Sequence, residues 1–225
     1  MTFSITAVDT ETGHVGVAVT TSSIAVGSRC PWVRAGVGAV ATQNITDPIL
    51  GRAILDCIES GDDAEKAILR VIGGESYVEY RQLTAVDLNG VVGHYTGKNI
   101  LGTNSVVVGS CCVAAGNLLA NEDVPQAMVD SFENRDKTRH FAESLLNSLQ
   151  AGLDAGGEEG EVRSAAVLVA NQVAWADVNL RVDWADNPVT RLRSIWQEYE
   201  PQRADYVTRA LSPGDAPSYG VPGDM

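Results

Sequence analysis

The order of predicted elements along the sequence restricts the fold more than any other feature. Phe3–Val8 and Val15–Thr21 are rich in β-formers and alternate in polarity, which predicts a hairpin closed by the loop DTETG. A second hairpin is predicted where two alternating strands flank Asn89-Gly90, because a two-residue turn requires positive φ. Since strands come mostly as hairpins and helices mostly as pairs, a parallel doubly wound sheet is not expected.

Helix boundaries between the hairpins are indicated by capping residues. Asp47 followed by Pro48 is typical of a helix start, Gly61 is expected to end this helix, and Asp62 is expected to cap the next. Asn187 precedes a proline in the same way and predicts a later helix. These pieces suit an α+β fold, an αββα four-layer sandwich in which two mainly antiparallel sheets are stacked face to face with helices on both outer faces.

The length and composition are those of one globular domain. Of the 225 residues, we assign 1–205 to this domain and 206–225 to a Pro/Gly-rich tail that is expected to be extended. The net charge of -13 argues against a nucleic-acid or anionic-membrane partner, since both require a basic surface. No long apolar run and no secretory signal is recognised, so a cytoplasmic location is expected.

Residues that bind metals or cofactors do not occur in a recognisable pattern. The four cysteines form no CxxC pair, and the three histidines are isolated. The acidic loop DAGGEEGE lacks the regular spacing of a calcium loop and is interpreted as solvated. We therefore expect neither a metal nor a cofactor.

Several segments in the same order resemble a known family. They are TFSITAVDTETGHVGVAV, AVGSRCPWVRAGVGAVATQN, YRQLTAVD, AAGNLLA, RSAAVLV and LRVDWADNPVTRLR. From residue 2 to about residue 200 the chain resembles domain-of-unknown-function family 1028, whose members look like N-terminal nucleophile (Ntn) hydrolases. The resemblance implies the αββα fold and a hydrolase acting on a small amide or peptide bond.

An Ntn hydrolase uses the side chain of its first residue as nucleophile and the α-amine of that residue as base. Removal of Met1 would make Thr2 the first residue, at the start of the first strand. The α-amine has a pKa of about 7.7–8.0 and can accept the hydroxyl proton near neutral pH. The alternative is that Thr2 is an ordinary strand residue.

Polar residues at predicted strand ends complete the candidate site. Ser22 or Ser23 would donate to an oxyanion or orient the amine, and Asn117 would donate its amide to the oxyanion. Gln43 would bind an amide or carboxylate of the substrate. Their alternatives are turn capping for the serines, a turn with left-handed φ for Asn117, and loop hydrogen bonding for Gln43.

Charged residues near other strands are candidates for substrate binding. Arg163, followed by Ser164, enters a core strand and would hold a carboxylate or form a structural ion pair. The same two interpretations apply to Arg81. Asp183, at the end of an alternating strand, is a substrate-binding candidate that would orient an amine, or it would cap the next helix.

Three functions are compatible with these residues. The first is an Ntn-type amidohydrolase, and the second is a non-catalytic protein that binds a small molecule or has a structural role on the same fold. The third is an enzyme with an internal nucleophile, namely Ser22, Ser23 or Cys112. A homodimer is expected because two-fold pairs are the commonest soluble oligomers.

Overall fold

Two β-sheets are stacked between two layers of helices in the computed structural model, which describes residues 2–221. The strands are β1 (Thr2–Asp9), β2 (His14–Thr21), β3 (Pro31–Arg34), β4 (Gly38–Asn44), β5 (Arg81–Asp87), β6 (Val92–Thr96), β7 (Ser105–Gly109), β8 (Cys112–Asn117), β9 (Ser164–Ala170) and β10 (Val178–Val182). The α-helices are α1 (Pro48–Glu59), α2 (Ala64–Ile72), α3 (Val124–Glu133), α4 (Phe141–Asp154), α5 (Pro188–Tyr199) and α6 (Arg203–Leu211).

Each sheet is antiparallel throughout. The first sheet has the strand order β10-β9-β2-β1-β8-β7, and the second has the order β3-β4-β5-β6. The strand β1 therefore lies in the interior of the first sheet, between β2 and β8.

Three apolar layers hold the sandwich together. The helices α3, α4 and α5 cover the outer face of the first sheet, where Phe3 and Ile5 pack with Leu145 and Trp196. The helices α1 and α2 cover the outer face of the second sheet. Small residues such as Ala41 fill the space between the sheets, so the predicted αββα sandwich is confirmed. No helix within residues 2–221 is long and apolar enough to span a membrane.

Apolar and polar residues alternate along β1, so its apolar side chains lie on one face of the sheet and its polar side chains on the other. Phe3 points toward the helices, whereas Ser4 and Thr6 point toward the second sheet. Ser4 Oγ donates to Gln43 Oε1 at 2.9 Å, and the Thr6 and Thr84 hydroxyls are 2.8 Å apart. One end of the inter-sheet layer is consequently polar, although its other end is apolar.

Some predicted boundaries differ from the structure. The predicted cap at Asp62 is wrong: Asp63 accepts from the Lys66 amide at 2.8 Å, while Asp62 pairs with Arg70. The predicted two-residue turn at Asn89-Gly90 is also wrong, because Gly90 has positive φ and Asn89 does not. The start assigned to the tail, residue 206, falls within α6.

Substitution of Gly51 by alanine is expected to lower the free energy of unfolding by about 2 kcal/mol. A Cβ at Gly51 would lie 2.1 Å from Trp32 Cδ1, and the Trp32 indole is held by its hydrogen bond to the Arg29 carbonyl. Chemical denaturation measures the change. The matched control is Gly73→Ala, whose Cβ would approach other atoms no closer than 3.4 Å, and equal losses in both variants would contradict the prediction.

Candidate active site

Thr2 lies at the polar end of the inter-sheet layer. It pairs with Asn117 of β8 on one side, and the pairing of Phe3 with Thr20 brings Thr21 of β2 beside it on the other. The Thr2 hydroxyl donates to Thr21 Oγ1 at 3.2 Å, and the residue is 5% exposed. The candidate nucleophile is thus held between two strands rather than on a loose terminus.

A buried amide network (Ser4, Gln43, Gln82 and Asn117) lies next to Thr2 on the same side of the first sheet. Gln82 Oε1 accepts from Gln43 Nε2 at 2.8 Å and from Asn117 Nδ2 at 3.1 Å. Gln82 Nε2 donates to the Gly116 carbonyl at 3.1 Å. Because Gln82 Oε1 bonds amides from both sheets, the network fixes the direction of the Asn117 amide.

Asn117 retains hydrogen-bonding capacity after joining this network. One of its two amide hydrogens is engaged by Gln82, and its Oδ1 is buried without a hydrogen-bond partner among residues 2–221. The alternative that Asn117 itself adopts a left-handed turn is wrong, since Leu118 carries the positive φ of 51°. Asn117 therefore stays in the strand beside Thr2.

The segment after β2 connects the candidate hydroxyls. Ser23 Oγ lies 3.1 Å from Thr21 Oγ1 and accepts from Arg29 Nη2 at 3.1 Å. Ser164 Oγ donates to the Ser23 carbonyl at 2.7 Å and accepts from the Val26 amide, so it positions this segment. Hydroxyls of Thr2, Thr21 and Ser23 consequently follow one another in a chain.

Glu158 is a site residue that the sequence analysis missed. It is 6% exposed, and its Oε2 accepts from the Ser22 backbone amide at 3.2 Å. Its Oε1 is buried and has no hydrogen-bond partner among the described residues. Burial raises the pKa of Glu158 from its ordinary value of 4.5 to about 7. The interpretation of DAGGEEGE as a wholly solvated loop is therefore wrong at this position.

The backbone explains why this carboxyl is buried. Glu158 forms an isolated antiparallel bridge with Leu119, and the next amide, of Glu159, donates to the Leu118 carbonyl at 3.0 Å. The acidic loop is thereby anchored to the chain that leaves β8 directly after Asn117. In the sequence, the one local indication of this turn is the pair of glycines that precedes Glu158 after the end of α4.

A cavity of about 390 Å³ opens beside Glu158. Arg163 is one of its lining residues, and its guanidinium forms ion pairs with Glu161 and Asp186. The Arg163 amide donates to the Thr21 carbonyl at 2.7 Å. The lining includes Val162 and Val189 of the layer between the first sheet and its helices, whereas the Thr2 hydroxyl lies on the other face of that sheet. Other residues that line it are Leu153, Val162, Asn187 and Val189.

Three of the other candidates lie elsewhere. Arg81 points away from the first sheet and binds the Ile45 carbonyl at 2.7 Å and Glu75 at 3.3 Å. Asp183 pairs with Arg181 at 3.0 Å and does not cap α5, which begins after Asn187. Cys112 is at the opposite end of β8 and faces the helices.

The surroundings of Cys112 do not favour a reactive thiolate. Burial raises the pKa of its thiol to about 12, and the side chain is fully covered. The hydroxyls of Thr2, Thr21 and Ser23 are the candidate nucleophiles that lie beside the segment bonded to the buried Glu158 carboxyl. Among the described residues, no group of three or more His, Cys, Asp or Glu side chains is arranged to hold a metal ion.

Comparison with known proteins identifies the family. A protein from Silicibacter pomeroyi is 33% identical, with a TM-score of 0.83 over 91% of this chain and 89% of that chain. Anbu (ancestral beta-subunit) from Yersinia bercovieri is 10% identical over 89% and 95% of the two chains, with a TM-score of 0.38. Anbu from Hyphomicrobium sp. strain MC1 is 10% identical over 98% and 100%, with a TM-score of 0.39.

The family model agrees with the first of these comparisons. No curated protein matches the chain. The model described as "Family of unknown function (DUF1028)" matches residues 2–192, and the Silicibacter pomeroyi protein carries the same family designation. The chain therefore belongs to the DUF1028 family.

Proposed function

We propose that the protein is an Ntn-type amidohydrolase that cleaves a small amide or peptide bond, with Thr2 as the nucleophile. The observation that carries this proposal is the Thr2 hydroxyl, which is held 3.2 Å from Thr21 Oγ1 at the polar end of the inter-sheet layer. The residue after Thr21, Ser22, donates its backbone amide to the buried carboxyl of Glu158. A threonine hydroxyl is a weak nucleophile and needs an adjacent base. Removal of Met1, which lies outside the described residues, supplies that base as the α-amine of Thr2.

The reaction would proceed through an acyl-enzyme. Thr2 Oγ1 attacks the carbonyl carbon while its proton passes to the α-amine. The C–N bond of the tetrahedral intermediate then breaks, and the leaving nitrogen takes that proton from the α-ammonium group and departs as an amine. Water later hydrolyses the ester: the α-amine takes a proton from the attacking water and returns it to Thr2 Oγ1 as the acid is released. The oxyanion would accept hydrogen bonds from the second Asn117 amide hydrogen and from a hydroxyl of the Thr21–Ser23 segment. The fixed direction of the Asn117 amide favours this role, since donors that need no reorganisation stabilise the transition state best.

Acylation of Thr2 tests the proposal directly. The probe is p-nitrophenyl acetate, applied to protein whose intact mass shows the loss of Met1. We expect a burst of p-nitrophenolate and an acetyl group on the Thr2 peptide in mass spectrometry. Thr2→Val keeps the shape of the side chain but lacks the hydroxyl, so acylation should fall on the order of 10³-fold.

Two controls decide between the alternatives. Thr6→Val removes another buried hydroxyl from the same face of β1 and should leave the burst unchanged, whereas Thr2→Ser should preserve it. An acetyl group mapped to Ser22 or Ser23 would indicate an internal nucleophile instead. A protein that lacks Met1 and is not acylated at all would support the non-catalytic, small-molecule-binding alternative.

A further inference from the structure

The carboxyl of Glu158 lies in line with β1, ahead of Thr2. On the β2 side, the Thr21 carbonyl accepts the Arg163 amide, so it points toward β9. The carbonyl and the following amide of a trans peptide point in opposite directions, and the Ser22 amide therefore points toward the gap between β2 and β8 that β1 fills. Glu158 Oε2 accepts this amide at 3.2 Å, which places the carboxyl in that gap.

The backbone of Glu158 occupies the same gap on the β8 side. The Leu119 amide donates to the Thr103 carbonyl, which leads into β7. The Leu118 carbonyl consequently points the other way, toward β1, and there it accepts the Glu159 amide at 3.0 Å. Glu158 itself forms the bridge to Leu119. The loop that carries Glu158 thus continues the line of β1 between its two neighbours.

The register brings the backbone nitrogen of Thr2 close to this carboxyl. Thr2 pairs with Asn117, and Glu158 bridges to Leu119, two residues further along the chain. At about 3.4 Å per residue, their α-carbons are roughly 7 Å apart along the strand direction. Since a strand begins with the nitrogen of its first residue, this nitrogen is on the side of Thr2 that faces Glu158.

The carboxyl has an oxygen that is available to a donor from within the protein. Glu158 Oε1 is buried and has no hydrogen-bond partner among residues 2–221, whereas Oε2 receives the Ser22 amide. Buried polar atoms in folded proteins are nearly always hydrogen-bonded. Removal of Met1 turns the Thr2 nitrogen into an ammonium group with three N–H donors and a positive charge. Such a donor belongs to the chain and does not have to enter through a cavity.

We propose that Glu158 is the counter-ion of the α-ammonium group of Thr2 and holds this nitrogen through Oε1 once Met1 has been removed. This inference rests on the proposed function, because only the processed chain has that amine. Glu158 is then a positioning residue: it orients the base beside the Thr2 hydroxyl and takes no part in the proton transfers.

The carboxylate also sets the pH at which the base becomes available. An opposite charge within about 4–6 Å favours the charged form of a group, so Glu158 raises the pKa of the amine. In a chain that retains Met1, the Thr2 nitrogen is a peptide amide, and Glu158 keeps the pKa of about 7 that burial gives it.

Other charged or titratable groups on the adjoining segments have partners or are buried. Arg29 donates to Ser23 Oγ at 3.1 Å, and Arg163 forms ion pairs with two exposed carboxylates. Burial raises the pKa of the Cys30 thiol, so this thiol is neutral near pH 7. The complete set is Arg29, Cys30, Glu159, Glu161, Arg163 and Asp186.

Trace labelling of the α-amine tests the assignment without relying on activity. Dinitrofluorobenzene reacts with the unprotonated amine, so the labelled fraction of the Thr2 peptide in mass spectrometry follows the titration of this group. Protein that begins at Thr2 is obtained by cleaving a removable fusion partner and is checked by its intact mass. In Glu158→Gln, the midpoint of labelling against pH should fall by about one unit or more. The control Glu159→Gln removes an exposed carboxylate and should move it by less than about 0.3 unit.

A second variant separates charge from structure. Glu158→Asp keeps the carboxylate on a shorter side chain, so its midpoint should stay nearer the wild-type value than that of Glu158→Gln. Equal midpoints in wild type and Glu158→Gln, or equal decreases in the two variants, would overturn the inference.

Acylation of the same samples by p-nitrophenyl acetate distinguishes this inference from the proposed function. The pH midpoint of acylation should fall in Glu158→Gln together with the labelling midpoint, because the same amine is the base. Acylation of Thr2 with both midpoints unchanged would overturn the role of Glu158 alone. A shifted labelling midpoint without any acylation would support the ion pair and overturn the proposed amidohydrolase.

Discussion

Replacement of Gln82 by methionine is expected to lower the free energy of unfolding by about 4 kcal/mol. The methionine fills a similar volume but leaves Gln43 Nε2, Asn117 Nδ2 and the Gly116 carbonyl without the bonds they make to Gln82. Each unmade bond to a buried polar group costs about 1–3 kcal/mol. Urea denaturation with an unchanged m-value measures the loss.

An exposed glutamine serves as the control for this substitution. Gln126 lies on the surface of α3 and donates to Asp130 Oδ1 at 2.7 Å, so Gln126→Met should change the stability by less than about 0.5 kcal/mol. A loss below about 1 kcal/mol in Gln82→Met would mean that the amide network contributes no more than an ordinary surface contact.

Replacement of Glu158 by glutamine is expected to change the pH dependence of stability. Unfolded Glu158 loses its proton near its ordinary pKa of 4.5, whereas the folded protein retains it until about pH 7. The folded state therefore holds the extra proton between these values, and wild-type stability falls as the pH rises through this window. Relative to wild type, Glu158→Gln should gain up to about 3 kcal/mol between pH 4 and pH 8.

Thermal or urea unfolding at several pH values measures this gain. The control Glu159→Gln alters an exposed carboxyl, and its stability should follow the wild-type curve at every pH. If the plots of unfolding free energy against pH ran parallel for wild type and Glu158→Gln, the carboxyl would have the same pKa in the folded and unfolded states. That result would contradict the pKa increase that burial is expected to cause.

The architecture could be predicted because local patterns determine it. Alternation along β1 and β2 predicts a hairpin, Asp47 before Pro48 predicts the start of α1, and both are present in the structure. The proximity of Thr2 and Asn117 could be predicted in the same way, because both are polar residues at strand ends and such residues lie together at one edge of a sheet.

The deeper parts of the site depend on register and tertiary contacts, which local patterns do not specify. Arg81 and Gln82 are adjacent in β5, so their side chains face opposite sides of the second sheet, and Gln82 is the one that enters the network. Glu158 belongs to a loop whose composition is typical of a solvated segment. Its burial results from a bridge to Leu119, a residue distant in sequence.

The interior position of β1 in its sheet has a consequence during synthesis. The hairpin β1–β2 emerges early from the ribosome, but its lateral partners β8 and β9 lie much later in the chain. At roughly 5–20 residues per second, translation leaves both edges of the hairpin unpaired for seconds. Open edges of apolar strands invite pairing with other nascent chains, so translation speed and chaperone supply should govern the yield of this protein.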